Sequence, residues 1–190
     1  MTNYLLNPLW LRMLYLSLLT LIPCGIVSAT SNLIEIETLL QQATDAKSQN
    51  LKEAVKLSKE VIQLSNQNNL PELKAEAQLL ICSMYNSEMN YDSIYQHCQV
   101  ALLFFEKENN KEKMAWAFQG SAIVEDMLGD RKKAQTTLEK SLAIFESIDN
   151  QEGIAYCLSD LGVFHTFSGE YIKASKYYIC LLYTSDAADE

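Results

Sequence analysis

The sequence predicts an all-α fold in which antiparallel helix pairs stack into an α-α superhelix. Three observations predict it: helix breakers are scarce, apolar residues recur at helical spacing, and the pattern repeats about every forty residues. The 190 residues include 6 glycines and 3 prolines, and Pro71 is the one proline between residues 30 and 179. Because glycine and proline interrupt helices, long continuous helical segments are expected.

The composition is that of an ordinary globular chain. The sequence is 48% hydrophobic and 21% charged, which excludes a largely disordered protein. Lysine and arginine number 15 against 24 acidic residues, so the formal net charge is −9. Nucleic-acid binding requires clusters of basic residues that neutralise phosphates, and we therefore expect no nucleic-acid partner.

Residues 1–29 are typical of a secretory signal peptide. Arg12 is their single charge, an apolar run covers residues 13–22, and the small residues before the expected cut end at Ala29. We expect a signal-peptide helix, cleavage after Ala29, and an extracytoplasmic location, either periplasmic or tethered to the outside of a membrane. The alternative is an uncleaved anchor, although the apolar run is shorter than the roughly 20 residues of a membrane span.

The last eleven residues have a different character. Residues 180–190 resemble the translated read-through of a sequencing-library adapter. The helical pattern described below fits Leu181 and Leu182 and then meets the polar residues Thr184 and Ser185. We therefore expect a non-native tail, with the natural chain cut near residue 179. A genuine polar C-terminal tail is the alternative.

A repeat of about forty residues organises residues 30–179. Positions forty residues apart carry similar small, apolar or acidic side chains. The clearest columns are Ala54, Ile94, Ala134 and Ala174; Glu72, Glu112 and Glu152; and Phe105 and Phe145. The predicted repeats are residues 33–69, 70–109, 110–149 and a truncated 150–179. Each contains two helices, and one helix pair cannot cover its own apolar faces. Neighbouring repeats must therefore share one core.

A turn separates the two helical segments of each repeat. In the third repeat, Gly129 suits the position after a helix end and Asp130 suits the N-cap of the next helix. Apolar residues at steps of three and four flank this turn on both sides. They are Met114, Ala117, Phe118, Ala122 and Leu128 before it, and Ala134, Leu138, Leu142 and Phe145 after it.

The turns and their flanks carry a family resemblance. The fourth repeat reads Leu158-x₂-Leu161-Gly162-x₂-His165, then Gly169-Glu170-Tyr171-x₂-Ala174-x₃-Tyr178. The third reads Phe118-x₂-Ser121-Ala122-x₂-Glu125, then Gly129-Asp130-Arg131-x₂-Ala134-x₃-Leu138. Both resemble the tetratricopeptide repeat (TPR), over about residues 33–179. The period exceeds the usual length of about 34 and resembles the long-repeat TPR of bacterial signalling and regulatory proteins. A HEAT-like array, also with a period near forty, is the alternative.

No set of residues has the pattern of an active site. The two histidines, His97 and His165, fall in different repeats, and metalloprotease, paired-cysteine, serine-hydrolase and phosphate-loop motifs are absent from the sequence. His165 lies in a column that faces the paired helix, which favours a structural role. We expect no catalysis by residues 30–179, no cofactor and no bound metal.

Three cysteines lie between the signal-like segment and the tail. Cys82 and Cys98 both point into the interface of the second helix pair, where they suit either a disulfide in an oxidising compartment or two small buried apolar residues. Cys157 replaces alanine in its column and is expected to be buried.

The TPR resemblance implies a concave groove, formed by the first helix of each pair, that binds a protein or peptide. The matching groove positions are Glu76, Leu79, Ser83, Asn86 and Ser87; Trp116, Gln119, Ile123, Asp126 and Met127; and Tyr156, Ser159, Val163, Thr166 and Phe167. Aromatic anchors beside hydrogen-bonding side chains suit a peptide partner. Trp116 and Tyr156 also suit contacts between neighbouring repeats. Both interpretations, partner anchor and repeat contact, stay open.

These features predict an exported scaffold for protein-protein or peptide interaction. We expect it to be the extracytoplasmic sensor part of a larger bacterial membrane signalling protein. The alternatives are a free-standing periplasmic adaptor and the N-terminal module of a kinase or diguanylate cyclase whose catalytic domain is missing. Membrane contact is expected only through a missing or uncleaved segment. The apolar end of the fourth repeat, around Tyr171, Tyr177 and Tyr178, predicts self-association.

Overall fold

The computed structural model describes residues 24–84 and 90–188, with the side chains of residues 30–84 and 90–182. The described residues form eight α-helices and no strand, so the predicted all-α class is confirmed for them. In chain order the helices are α1 Cys24–Ala46, α2 Leu51–Gln67, α3 Pro71–Cys82, α4 Tyr91–Lys107, α5 Lys111–Met127, α6 Arg131–Ser147, α7 Gln151–Phe167 and α8 Tyr171–Ala188.

The helices begin at regular intervals. From α2 onward they start at residues 51, 71, 91, 111, 131, 151 and 171, and successive starts are therefore 20 residues apart. Helices α2, α4, α5, α6 and α7 each contain 17 residues, which leaves three for each connection. Two such units give the 40-residue spacing of the sequence columns.

The connections have the turn chemistry that the sequence predicts. Gly129 and Gly169 have φ values of 90° and 74°, a left-handed conformation that glycine adopts without a steric penalty. Asp130 accepts a hydrogen bond on Oδ1 from the Lys133 backbone N–H at 3.2 Å and so caps the start of α6. Asparagine side chains cap four other helices in the same way, at Asn50, Asn90, Asn110 and Asn150.

Each helix packs against the next one along the described chain, from α1 to α8. The small-residue column of the sequence lies buried between paired helices, at Ala54, Ile94, Ala134 and Ala174. Glycines permit the closest approaches. A Cβ atom on Gly153 would overlap the Phe145 ring, and one on Gly162 would overlap the Tyr178 ring. Neighbouring pairs therefore share one core, as expected of an array of helix pairs.

The array curves toward its odd-numbered helices. The backbones of α1 and α3, of α3 and α5, and of α5 and α7 approach within contact distance. In the described ranges, the backbones of the even-numbered helices do not approach one another in this way. The odd-numbered helices therefore form a closely packed inner face, and the even-numbered helices form an outer face.

The predicted cleavage after Ala29 and the predicted cut near residue 179 stay predictions. The structure does not support a separate signal-peptide helix: α1 begins at Cys24 and passes through Ala29 without interruption, because no glycine or proline occurs between Gly25 and the end of α1. Residues 1–23 lie outside the described part. At the other end, α8 continues through the adapter-like segment to Ala188, and the origin of that segment stays a prediction.

Candidate functional site

Aromatic rings line the inner face at α5 and α7. The Trp116 ring lies edge to face against Phe145, with centroids 4.8 Å apart, and against Tyr156, with centroids 5.5 Å apart. Trp116 packs on the buried core, whereas Tyr156 is 52% exposed. The structure thus joins the two predicted anchors: Trp116 contacts the neighbouring repeat, and Tyr156 presents its ring to solvent.

A polar contact between α5 and α7 lies beside these rings. Gln119 is buried, and its Nε2 donates a hydrogen bond to Asp160 Oδ2 at 2.6 Å. Burial raises the pKa of the half-buried Asp160 carboxyl because the charged form loses hydration, while the hydrogen bond from Gln119 lowers it by less. Asp160 is therefore a partly desolvated acid on the inner face.

Asp126 has a cationic partner of its own. Its Oδ1 atom accepts a hydrogen bond from Arg131 Nε at 3.0 Å. The Arg131 guanidinium carbon lies 5.6 Å from the centroid of the Phe164 ring, within the range of a cation–π contact. A carboxylate and an aromatic ring thus hold a guanidinium at the end of α5.

The other predicted groove residues lie at several places along the array. Glu76 of α3 forms an ion pair with Lys113 of α5. Ser83 donates from Oγ to a backbone carbonyl of α3, and Ser159 is half-buried on α7. Thr166 is exposed and lies toward α8, with Oγ1 3.5 Å from the Tyr178 hydroxyl. Asn86 and Ser87 lie outside the described residues.

Part of the predicted groove forms a cavity of about 260 Å³, which we call the inner-face pocket. Its walls are Ile123, Asp126 and Met127 from α5 and Asp160, Val163 and Phe167 from α7. Buried Ala134 and Leu138 of α6 lie at its base. Met127 is 52% exposed and Phe167 is 75% exposed, so the rim of the pocket is apolar.

A larger cavity of about 1030 Å³ lies between α1, α3 and the end of α4. Its lining is acidic and includes Glu37, Glu72 and Glu108, opposed by Lys107. Of the groove residues predicted from the sequence, it contains Glu76 alone. The inner-face pocket contains five of them: Ile123, Asp126, Met127, Val163 and Phe167.

Asp160 is a pocket residue that was not predicted from the sequence. This residue follows Tyr156 by one helical turn and precedes Val163 and Phe167 on the same side of α7. Residues at i, i+4, i+7 and i+11 share a helix face, so this spacing was a signal that could have identified it. Its contact with Gln119, which crosses from one helix pair to the next, has no comparable signal in the sequence.

The structure joins Cys82 and Cys98 in a disulfide, with Cα atoms 4.9 Å apart, which decides between the two alternatives left open by the sequence. The bond links α3 to α4. Gly120 of α5 makes room for it, because a Cβ atom there would lie 2.5 Å from Cys82 Sγ. The third cysteine, Cys157, is buried as predicted, and burial raises its pKa to about 11.

His165 has the structural role that the sequence favours. It is 1% exposed, and its Nδ1 lies 2.6 Å from Glu170 Oε2 across the α7–α8 turn. Its ring stacks on Tyr177 with centroids 5.3 Å apart. These two contacts connect α7 to α8, and His165 lines neither of the two cavities.

Comparison of the chain with protein-family models and with curated proteins finds no match in either set. In the described ranges, no group of histidine, cysteine and acidic side chains is arranged to hold a metal ion. None of the described helices is both long and apolar enough to cross a membrane.

Proposed function

We propose that the protein is a TPR-like scaffold that binds a protein or peptide along its inner face. The observation that carries this proposal is the strip of Met127, Tyr156, Val163 and Phe167, large apolar side chains that stay exposed around the inner-face pocket. Exposed apolar patches with polar groups beside them mark interaction sites. Asp126 and Asp160 supply the polar groups that would orient a partner.

The structure of the strip favours a polypeptide partner. Tyr156 and Phe167 lie eleven residues apart on α7, about 16 Å along the helix axis at 1.5 Å per residue. A partner that covers both must therefore be extended along the face. Tyr156 is held by its edge contact with Trp116, and such rigid aromatic side chains are favoured anchors at interfaces.

Selection of random peptides on the folded chain tests the proposal. We expect peptides that bind the wild-type chain to lose at least about tenfold in affinity to Phe167→Ala, which corresponds to about 1.4 kcal/mol. Leu103→Ala is the matched control, because Leu103 is an apolar residue 66% exposed on outer helix α4. Equal losses of affinity in the two variants would contradict binding at the inner face. Selected peptides whose affinity neither substitution changes would contradict it as well.

The proposed location is outside the cytoplasm. Support comes from the signal-like residues 1–29 and from the Cys82–Cys98 disulfide, since disulfides persist in oxidising compartments. The closed loop spans a sequence separation of 16, for which chain entropy predicts a stabilisation of about 3 kcal/mol. Replacing both cysteines by alanine should therefore lower the Tm by roughly 6–12 °C. An unchanged Tm, with both thiols free in protein from an oxidising compartment, would contradict this support.

The wider role that we propose is sensing, as part of a larger membrane signalling protein. A free-standing periplasmic adaptor is the second candidate, and a module of a kinase or diguanylate cyclase is the third. Reading the genomic DNA beyond the codon for Ile179 discriminates among them. A stop codon after one or two further repeats, with no apolar span, would reject the signalling protein and favour the adaptor.

Self-association is proposed through α8. Large apolar side chains remain exposed on this helix, notably Tyr171, Ile172, Ile179 and Leu182. In an array of this kind such a face is covered by the next repeat or by another molecule. Light scattering over a range of concentrations should show a mass that rises with concentration, and a monodisperse monomer at high concentration would contradict the proposal.

A further inference from the structure

The environment of Asp160 is unusual for a carboxylate in this protein. Its one hydrogen-bond partner in the described structure is the neutral amide of Gln119, at 2.6 Å. The ion pairs among the described residues do not include Asp160. Burial opposes its ionisation, as its raised pKa indicates. The inner-face pocket thus contains a partly desolvated carboxylate that has no cationic partner among the described residues.

The opposite wall of the pocket provides an internal comparison. There Asp126 accepts a hydrogen bond from Arg131, whose guanidinium lies over the Phe164 ring. Asp160 precedes Phe164 by four residues on α7, so the two side chains are neighbours on one helix face. The pocket therefore offers a second carboxylate beside aromatic rings, and this one is unpaired among the described residues.

We infer that the inner-face pocket takes an arginine or lysine side chain of the partner polypeptide, with its cation on the Asp160 carboxylate. This inference rests on the proposed function of the inner face and specifies the chemistry of the partner. The aliphatic stem of the basic side chain packs against Val163 and Leu138, and the charged group pairs with Asp160. Arginine suits the site best, since its planar group both pairs with a carboxylate and stacks on an aromatic ring.

The rim of the pocket points to a polypeptide rather than to a free small amine. A volume of about 260 Å³ lies just below the range of roughly 300–1,000 Å³ of small-molecule sites and suits one side chain. Tyr156 and Phe167 extend the apolar surface beyond the pocket in both directions along α7. A small amine would leave these rings exposed, whereas residues that flank an arginine would cover them.

NMR titration with three compounds tests the inference. Acetyl-Leu-Arg-Phe-amide is the main probe, acetyl-Leu-citrulline-Phe-amide is its uncharged counterpart, and propylguanidine carries the cation without a peptide. We expect the arginine peptide to shift the amide resonances of Val163 and Phe167 saturably. The citrulline peptide should bind at least about tenfold more weakly, because it lacks the charge that pairs with Asp160.

Variants make the test specific to the pocket. Asp160→Asn should weaken the arginine peptide about tenfold and leave the citrulline peptide unchanged. Asp92→Asn, the same charge change at an exposed position on α4, should leave both affinities as they are. Equal affinities for arginine and citrulline peptides, equal effects of the two variants, or no saturable shift with any probe would overturn the inference. Propylguanidine that binds as tightly as the arginine peptide would overturn the commitment to a polypeptide.

The outcomes separate this inference from the proposed function. Selected peptides that depend on Phe167 but lack a basic residue, together with equal arginine and citrulline affinities, would leave the inner face as the binding surface and overturn the role of Asp160. Arginine-dependent shifts at Val163 in a chain that selects no peptide would overturn the scaffold proposal and retain the cation site.

Discussion

The region between the outer helices and the inner-face pocket each contain an acid shielded from solvent, the buried Glu125 and the half-buried Asp160, and the two acids have different partners. Glu125 of α5 contacts the outer helices α4 and α6: its Oε1 accepts a hydrogen bond from the Tyr95 hydroxyl at 3.1 Å and lies 3.2 Å from the Lys133 ammonium. On the inner side, Asp160 has the neutral amide of Gln119 as its hydrogen-bond partner. Both carboxylates lose hydration on folding, and of the two Glu125 alone gains a cation among the described residues.

The difference follows from the curvature. The outer helices stand apart, and long side chains bridge the gap, as when Lys133 Nζ donates to the Tyr95 hydroxyl at 2.8 Å between α6 and α4. Those two hydrogen-bond partners raise the pKa of Lys133, Tyr95 first and Glu125 second. The inner helices approach more closely, and the contact that Asp160 makes across them is the neutral one with Gln119, beside the inner-face pocket. Glu125 thus has its cation within the fold, whereas we propose that a partner supplies the cation for Asp160.

The largest expected effect is a loss of stability in the core that both faces share. Phe145→Ala removes a fully buried ring that contacts Trp116, and a truncation of this kind costs about 3–5 kcal/mol. We expect the Tm to fall by at least about 6 °C, as measured by thermal unfolding. Phe167→Ala removes the same atoms from an exposed position and should change the Tm by less than about 2 °C. Similar losses in the two variants would contradict the assignment of Phe145 to the shared core.

A smaller effect is expected on the outer side alone. Lys133→Ala leaves the buried Glu125 carboxylate without its cation and should cost about 1–2 kcal/mol in the free energy of unfolding, measured with urea. Lys132→Ala, at the exposed neighbouring lysine, is the control and should change it by less than about 0.5 kcal/mol. Loss of stability in the control alone would show that Lys133 does not support Glu125.

The smallest effect has the opposite sign and belongs to the inner side. Asp160→Asn removes a desolvated charge and keeps a partner for Gln119, so the Tm at pH 7 should rise by a few degrees, a change on the order of 1 kcal/mol. Because the folded-state pKa of Asp160 is raised above its ordinary value of 3.8, the penalty appears as pH increases through the raised pKa. The gain should therefore be full at pH 7 and vanish below the ordinary pKa.

A control and a contrary result complete this test. Asp92→Asn lies at the exposed start of α4, where the aspartate is in the first turn, and it should not raise the Tm. A lower Tm for Asp160→Asn at pH 7 would show that the carboxylate stabilises the free fold, and the contrast between the two faces would then be lost.

The sequence predicted what repeats locally. Turn positions such as Gly129 and Asp130 depend on their own backbone geometry, and the buried column that includes Ala134 follows from helical periodicity. The predicted anchors Trp116 and Tyr156 also meet, because they share one column in adjacent repeats. These features need no knowledge of how the array curves.

The rest depends on geometry between helix pairs, which periodicity does not define. The contact of Gln119 with Asp160 requires a particular distance between α5 and α7, and the bridge from Lys133 to Tyr95 requires a particular gap between α4 and α6. The Cys82–Cys98 bond depends on how α3 and α4 are rotated about their axes. A forty-residue pattern is compatible with several such arrangements, so these contacts could not be chosen from the sequence.

Photo-crosslinking tests most directly the claim that the inner face binds the partner. A benzoylphenylalanine side chain is placed at Phe167 on α7 in one protein and at Leu103 on α4 in another, both exposed positions. With a selected peptide present, we predict a cross-link from position 167 and none from position 103. A cross-link from position 103 with none from position 167 would place the partner on the outer face and contradict the account.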